Sequence, residues 1–236
     1  MSSQRVIGLI GGVTWMSTLD YYRTINEEVA QRLGGVHSAR LLLASLDFHD
    51  VRTRAEWNDE AGLLDLYGDA AKKLEQAGAQ ALVLCTNTAH RRAQGLQEQI
   101  GIPLLHIGDA TGLAAKSSGA RTVGLLGTRP TMEEPFLVDR LRQRFGLEIL
   151  IPPAVDRENL ERIIFEEMAR GQFRAEAADY ATHLVADLVR RGAEAVILGC
   201  TELPILLREA ALPCPALDTT RLHALAAVDF ALKDCP

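Results

Sequence analysis

The chain has 236 residues, 47% hydrophobic and 24% charged, with a formal net charge of -6 at pH 7. This is an ordinary globular composition, with enough apolar side chains for a substantial core in one large domain or two small ones. Arginines cluster only as pairs, Arg91 with Arg92 and Arg190 with Arg191, which together with the acidic balance speaks against a nucleic-acid partner, and no apolar run approaches the ~20 residues that span a bilayer.

The first apolar run, residues 6–10, follows Arg5 and breaks at Gly11-Gly12 before Trp15 and Asp20. With no small-residue cleavage pattern it reads as a first strand and not as a signal peptide. The expected compartment is therefore the cytoplasm, where cysteines stay reduced. Cys85, Cys200, Cys214 and Cys235 include no CxxC pair and no Cys/His ligand spacing, so no zinc site is expected.

Strands and helices then alternate along the chain. A helix is expected over 18–33, a strand over 40–46, and a helix over 61–77, where Leu63, Leu64, Leu66, Ala70 and Leu74 recur at helical spacing. A strand at 81–85, a helix at 90–100, a strand at 104–107 and a helix near 110–117 follow. The second half reads as strand 122–126, helix 135–145, strand 148–151, helices 159–170 and 175–191, and strand 195–198. Apolar, β-branched strands alternating with helices predict parallel sheets covered by helices.

The halves repeat. Arg5-Val6-Ile7-Gly8-Leu9-Ile10-Gly11 matches Arg121-Thr122-Val123-Gly124-Leu125-Leu126-Gly127, and Gly78-Ala79-Gln80-Ala81-Leu82-Val83-Leu84 matches Gly192-Ala193-Glu194-Ala195-Val196-Ile197-Leu198. Two collinear matches of this kind predict two pseudo-symmetric α/β lobes. Ligands of such sheets bind at the C-terminal strand ends, which places the expected site in a cleft between the lobes.

Two polar loops lie at those ends. One reads Cys85-Thr86-Asn87-Thr88-Ala89-His90 and the other Gly199-Cys200-Thr201-Glu202-Leu203-Pro204. Each leads into a predicted helix, whose first N–H groups suit a carboxylate and whose dipole is expected to favour a thiolate. A thiolate there can remove a proton from carbon while a donor on the other side returns one. Cys214 and Cys235 read as inert small hydrophobes. His90 and His223 could be cleft bases, though each fits a helix-packing or capping role at least as well, and Glu202 either polarises Cys200 or sits as a first-turn carboxylate.

The loop Gly11-Gly12-Val13-Thr14-Trp15-Met16-Ser17-Thr18, Asn87-Thr88-Ala89-His90, Gly199-Cys200-Thr201-Glu202 and Asp218-Thr219-Thr220-Arg221-Leu222-His223 together resemble the aspartate/glutamate/hydantoin racemase family over nearly the whole chain. Glutamate after Gly-Cys-Thr is closer to aspartate racemases than to pure glutamate racemases. The resemblance implies two doubly wound lobes and an amino-acid racemase that needs neither pyridoxal phosphate nor metal, takes an amino acid as its small-molecule substrate and forms a homodimer. It also implies a C-terminal segment returning to the first lobe, so the lobes are expected as residues 1–116 plus 215–236 and 117–214.

The chain departs from the family at one position. Members with two catalytic cysteines carry Cys directly before Asn-Thr, where this chain has Thr86. The repeat agrees, since Thr86 follows Gly78 and Cys200 follows Gly192 at the same distance. Neighbours on an extended strand face opposite ways, so Cys85 is expected in the core and Thr86 opposite Cys200. The catalytic pair is then Cys200 and Thr86, and the resemblance implies that L-aspartate or L-glutamate is deprotonated from the Cys200 side. The expected substrate contacts are Gly12, Val13, Thr14, Asn87, Thr88, Thr201 and Glu202, with Thr128 and Thr131 as the repeat partners of Gly12 and Trp15. Arg52 is chosen over His49 and Arg54 as the ligand of the side-chain carboxylate. A decarboxylase, maleate isomerase or hydantoin racemase, or a non-catalytic binding protein, are the competing readings.

Overall fold

The computed structural model describes residues 4–235. Residues 1–3 and 236, which the sequence assigns to the first lobe, lie outside them. The first half runs β1 (Ile7–Gly11), α1 (Trp15–Leu33), β2 (Leu41–Ser45), α2 (Phe48–Glu56), α3 (Glu60–Gln76), β3 (Ala81–Leu84), a 3₁₀ turn (Thr88–Arg92), α4 (Ala93–Gln97) and β4 (Leu104–Leu105). The second runs α5 (Ile107–Ser117), β5 (Thr122–Gly127), α6 (Arg129–Glu133), α7 (Pro135–Phe145), β6 (Glu148–Leu150), α8 (Ala154–Glu166), a 3₁₀ turn (Met168–Arg170), α9 (Ala175–Arg190), β7 (Ala195–Gly199), α10 (Leu203–Leu206), β8 (Ala216–Asp218) and α11 (Thr219–Ala231).

Among the described residues the strands form two four-stranded parallel sheets, ordered β2-β1-β3-β4 and β6-β5-β7-β8. The fold is thus α/β with two doubly wound lobes. The two sheets share one register: Ile7 pairs with Ala81 and Ile10 with Leu84, as Val123 pairs with Ala195 and Leu126 with Leu198. Even the supporting contacts recur. The Val6 N–H donates to Gln80 Oε1 at 3.0 Å, and the Thr122 N–H donates to Glu194 Oε2 at 3.0 Å.

In the first sheet the strand pleat divides the core in two. Ile7, Leu9, Ala81, Val83 and Cys85 pack with Tyr21, Ile25 and Val29 of α1 and with Ala224, Ala227, Val228 and Ala231 of α11. Ile10, Leu82 and Leu84 face the other way, onto Leu63, Tyr67, Ala71 and Leu74 of α3. This is the period-two alternation of a strand covered on both faces. The buried alanines and valine of α11 recur at i, i+3, i+4 and i+7, one stripe of a helix.

The chain divides into one unit of Met1–His106 with His223–Pro236 and another of Ile107–Leu222. These boundaries differ from the expected 116/117 and 214/215. α5 packs on α7: Arg140 holds Asp109 with both nitrogens (2.6 and 2.8 Å), Arg144 adds a third bond at 2.7 Å, and a Cβ on Gly112 would stand 2.3 Å from the Phe145 ring. β8 is the fourth strand of the second sheet. Both segments therefore belong to the second unit, and α11 passes into the first at His223.

Other elements depart from the sequence pattern. The helix expected over 90–100 is a 3₁₀ turn followed by α4, and the strand expected over 104–107 ends at Leu105 because α5 starts at Ile107. α2 has no apolar stripe; it buries only Val51 and is started by the Asp47 carboxylate, which accepts the His49 N–H at 2.9 Å.

Candidate active site

The C-terminal edge of each sheet carries one cluster of the expected site residues. In the first unit, β1 ends in the glycine loop. Gly12 has φ +91°, and a Cβ there would lie 2.0 Å from the Leu46 carbonyl oxygen, so only glycine fits. Its N–H donates to Thr18 Oγ1 at 2.9 Å. Val13 and Thr14 are half-buried, and the Ser17 hydroxyl reaches the carbonyls of Thr14 (2.8 Å) and Cys85 (3.1 Å), tying the loop to the end of β3.

Past β3 the side chains diverge as the pleat requires. Cys85 is 1% exposed and lies in the core against Ile7, Leu9 and Tyr21, and burial pushes its thiol well above its ordinary range. Thr86 and Thr88 are half-buried with hydroxyls 3.4 Å apart, and Asn87 is buried between them. His90 Nδ1 lies 2.9 Å from the Thr86 carbonyl oxygen. Behind it, His106 and His223 approach the His90 ring with centroids at 4.6 and 5.4 Å. His223 Nδ1 meets Tyr21 Oη and its Nε2 meets the Leu105 carbonyl, both at 2.8 Å.

In the second unit Gly199 allows close packing, since a Cβ there would meet Thr131 Cγ2 at 2.9 Å and the Leu126 carbonyl oxygen at 3.0 Å. Thr131 is fully buried, with its hydroxyl 3.1 Å from that of buried Thr128. Cys200 follows, 8% exposed. Its Sγ–H donates to Glu202 Oε2 at 2.9 Å, and the Thr201 hydroxyl donates to the same oxygen at 2.7 Å. Glu202 is itself buried and makes no side-chain cap to α10. The Glu202 carboxylate therefore lies against the thiol.

This contact corrects the expected thiolate. Burial first, then the charge and hydrogen bond of Glu202, hold the Cys200 thiol well above its ordinary range, against smaller help from the backbone N–H groups of Glu202 and Thr201. α10 has only four residues, too short for its dipole to outweigh a buried carboxylate. The resting group is a thiol with a proton acceptor already in contact.

The expected carboxylate ligand Arg52 and the two residues it is chosen over, His49 and Arg54, all lie on α2. Arg52 is exposed on α2, its Nε 2.7 Å from Glu56 Oε1, and Arg54 bonds the Asp50 carbonyl. His49 serves through its N–H at the start of α2. Conversely, Ser17, Tyr21 and His106 were not singled out from the sequence. Among the described residues no group of three or more His, Cys, Asp or Glu side chains is placed to hold a metal ion, and no helix is long and apolar enough to cross a membrane.

The whole pattern has close counterparts. The family model for the Asp/Glu/Hydantoin racemases matches residues 10–227, and the chain belongs to that family. A crystal structure from Yersinia pestis, provisionally assigned as an Asp/Glu racemase, is 42% identical, covers 97% of this chain and 99% of its own, and superposes with a TM-score of 0.92. An aspartate racemase homologue from Pyrococcus horikoshii is 31% identical over 96% of this chain and 99% of its own, with a TM-score of 0.81. The glutamate racemase of Leptospira borgpetersenii is 31% identical over 140 residues, which are 59% of this chain but only 52% of that protein. The chain thus spans about half the length of that curated relative.

Proposed function

We propose that the chain is a cofactor-independent amino-acid racemase acting on L-aspartate, L-glutamate or both, with Cys200 as base and Thr86 serving the opposite face of the α-carbon. The observation that carries this reading is the Cys200 thiol in contact with the buried Glu202 carboxylate at the end of β7. When an α-ammonium group arrives, its positive charge favours the ionised sulfur, the thiol proton passes to Glu202, and the thiolate takes the α-proton. The resulting enediolate-like carbanion takes a solvent-derived proton relayed through the Thr86 hydroxyl to give the D enantiomer, and Glu202 returns its extra proton to solvent, which resets Cys200 as a thiol. Gly12, Val13, Thr14, Asn87, Thr88, Thr128, Thr131 and Thr201 are proposed to line the substrate. Arg52 is proposed for the distal carboxylate, which requires it to leave Glu56, an exchange between exposed partners that costs little. A homodimer in the cytoplasm is the proposed setting.

The test is proton NMR in deuterated buffer. With a single strong base, L-aspartate or L-glutamate should lose its α-proton signal faster than the D enantiomer, and deuterium should enter L faster than D is formed. Equal exchange from both enantiomers at matched saturation would refute the one-thiol mechanism.

Cys85 bears on the same point. Cys85→Ala is expected to keep most of the exchange activity and to lose stability by about 1–2 kcal/mol through lost packing. Loss of turnover with an unchanged melting temperature and circular dichroism would instead make Cys85 the second acid. A one-faced decarboxylase would also suit a single thiol, given that Cys85 lies in the core; carbon dioxide release from a substituted malonate, without exchange of either amino acid, would favour it.

A further inference from the structure

The two strand-end loops match in register but are held differently. Thr86 corresponds to Cys200, and each lies beyond the last ladder pair of its strand. The Cys200 carbonyl accepts the backbone N–H of Leu203 at 3.2 Å. The Thr86 carbonyl is bound by a side chain, His90 Nδ1, at 2.9 Å. Four residues after Cys200 the chain has Pro204, which offers no donor. The imidazole is therefore a device of the first loop alone.

A carbonyl oxygen only accepts hydrogen bonds, so His90 must carry its proton on Nδ1. The same logic places the His223 proton on Nε2, toward Leu105, so that its Nδ1 accepts the Tyr21 hydroxyl. His90 is 2% exposed and His223 0%. Burial and the two neighbouring rings hold His90 far below the ordinary histidine range, so it stays neutral.

We propose that His90 is a positioning residue for the Thr86 face, a buried imidazole of fixed tautomer that holds the Thr86 carbonyl and thereby sets where the Thr86 hydroxyl points. The proposal rests on the racemase reading for its effect on turnover and on geometry alone for its tautomer. His90 touches no reacting atom in this scheme. It acts on inversion, which needs the Thr86 side, and not on proton exchange at Cys200.

Three substitutions separate the roles. His90→Leu removes the donor, His90→Asn places an amide N–H near the former Nδ1, and His90→Gln places it near Nε2. The readout is the ratio of D enantiomer formed to deuterium incorporated into L. That ratio should fall about three- to tenfold in the leucine and glutamine variants, what one orienting hydrogen bond is worth, and should stay within about twofold in the asparagine variant. A merely structural role would lower inversion and exchange together and leave the ratio unchanged, which would overturn the proposal. So would an asparagine variant that falls as far as glutamine, a comparison that stands if the leucine variant does not fold. Nitrogen-15 NMR of the unmodified protein should show His90 neutral with its proton on Nδ1 at pH 7. A proton on Nε2, or a charged ring, would overturn it without any turnover. Absence of exchange from both L-aspartate and L-glutamate in the unmodified protein would sink the racemase reading instead, leaving the tautomer to decide the positioning claim.

Discussion

Cys200→Ser is expected to lower α-proton exchange from L-aspartate or L-glutamate by about a hundredfold to ten-thousandfold, the usual cost of losing general-base chemistry. A serine hydroxyl can still donate to Glu202 and nearly fills the same space, so the fold should survive with little change in melting temperature. What it cannot supply is a basic anion, because an alkoxide lies far beyond reach near neutral pH even with a carboxylate 2.9 Å from the parent sulfur. The measurement is loss of the α-proton signal in deuterated buffer. Substantial exchange by the purified variant would show that the base is elsewhere.

Glu202→Gln should act in two opposing directions, and the opposition makes it diagnostic. The variant loses the acceptor for the thiol proton, so the rate at pH 7 should drop on the order of a hundredfold. It also loses the negative charge that, after burial, holds the thiol high. The sulfur then ionises at lower pH than in the parent. Residual activity should climb with pH and approach the parent's as solvent hydroxide replaces the missing acceptor. Alkylation of Cys200 by iodoacetamide, with substrate absent, should be faster in the variant at a given pH. An unchanged neutral rate would reduce Glu202 to a structural carboxylate.

The sheets were legible because their strands are short, apolar and repeated. The pairing of Thr86 with Cys200 came from counting along the repeat, and the shared ladder register carries the same count. The two-lobed α/β architecture followed from the same alternation. α2 was illegible because a helix that buries one side chain has no stripe to read. The unit boundaries shifted because α5 is held by the Asp109 cluster with Arg140 and Arg144, a contact across 31 and 35 positions that no local pattern announces. The protonation state of Cys200 was read from a helix start, whereas burial and a carboxylate two residues on decide it. The Tyr21 and His223 contact spans 202 positions, so the histidine cluster could be seen only once the chain was folded.

The discontinuous unit also fixes an order of assembly. Ile107–Leu222 is one uninterrupted stretch and can close as soon as it is made. The other unit opens the chain, yet one face of β1 and β3 waits for Ala224, Ala227, Val228 and Ala231. Its closing contacts, from the Arg5 N–H to the Ala231 carbonyl at 3.0 Å and from Arg5 Nε to Asp234 at 3.0 Å, join the two extremes of the described chain. At a synthesis rate of about 5–20 residues per second, the residues between His106 and His223 take roughly 6–23 s to make. Through that interval Ile7, Leu9, Ala81 and Val83 have α1 but lack α11, one of the two helices that cover them. On the ribosome the unit begun first is the one completed last, and the nascent chain carries a half-covered apolar sheet face, the kind of surface that chaperones bind, until α11 emerges.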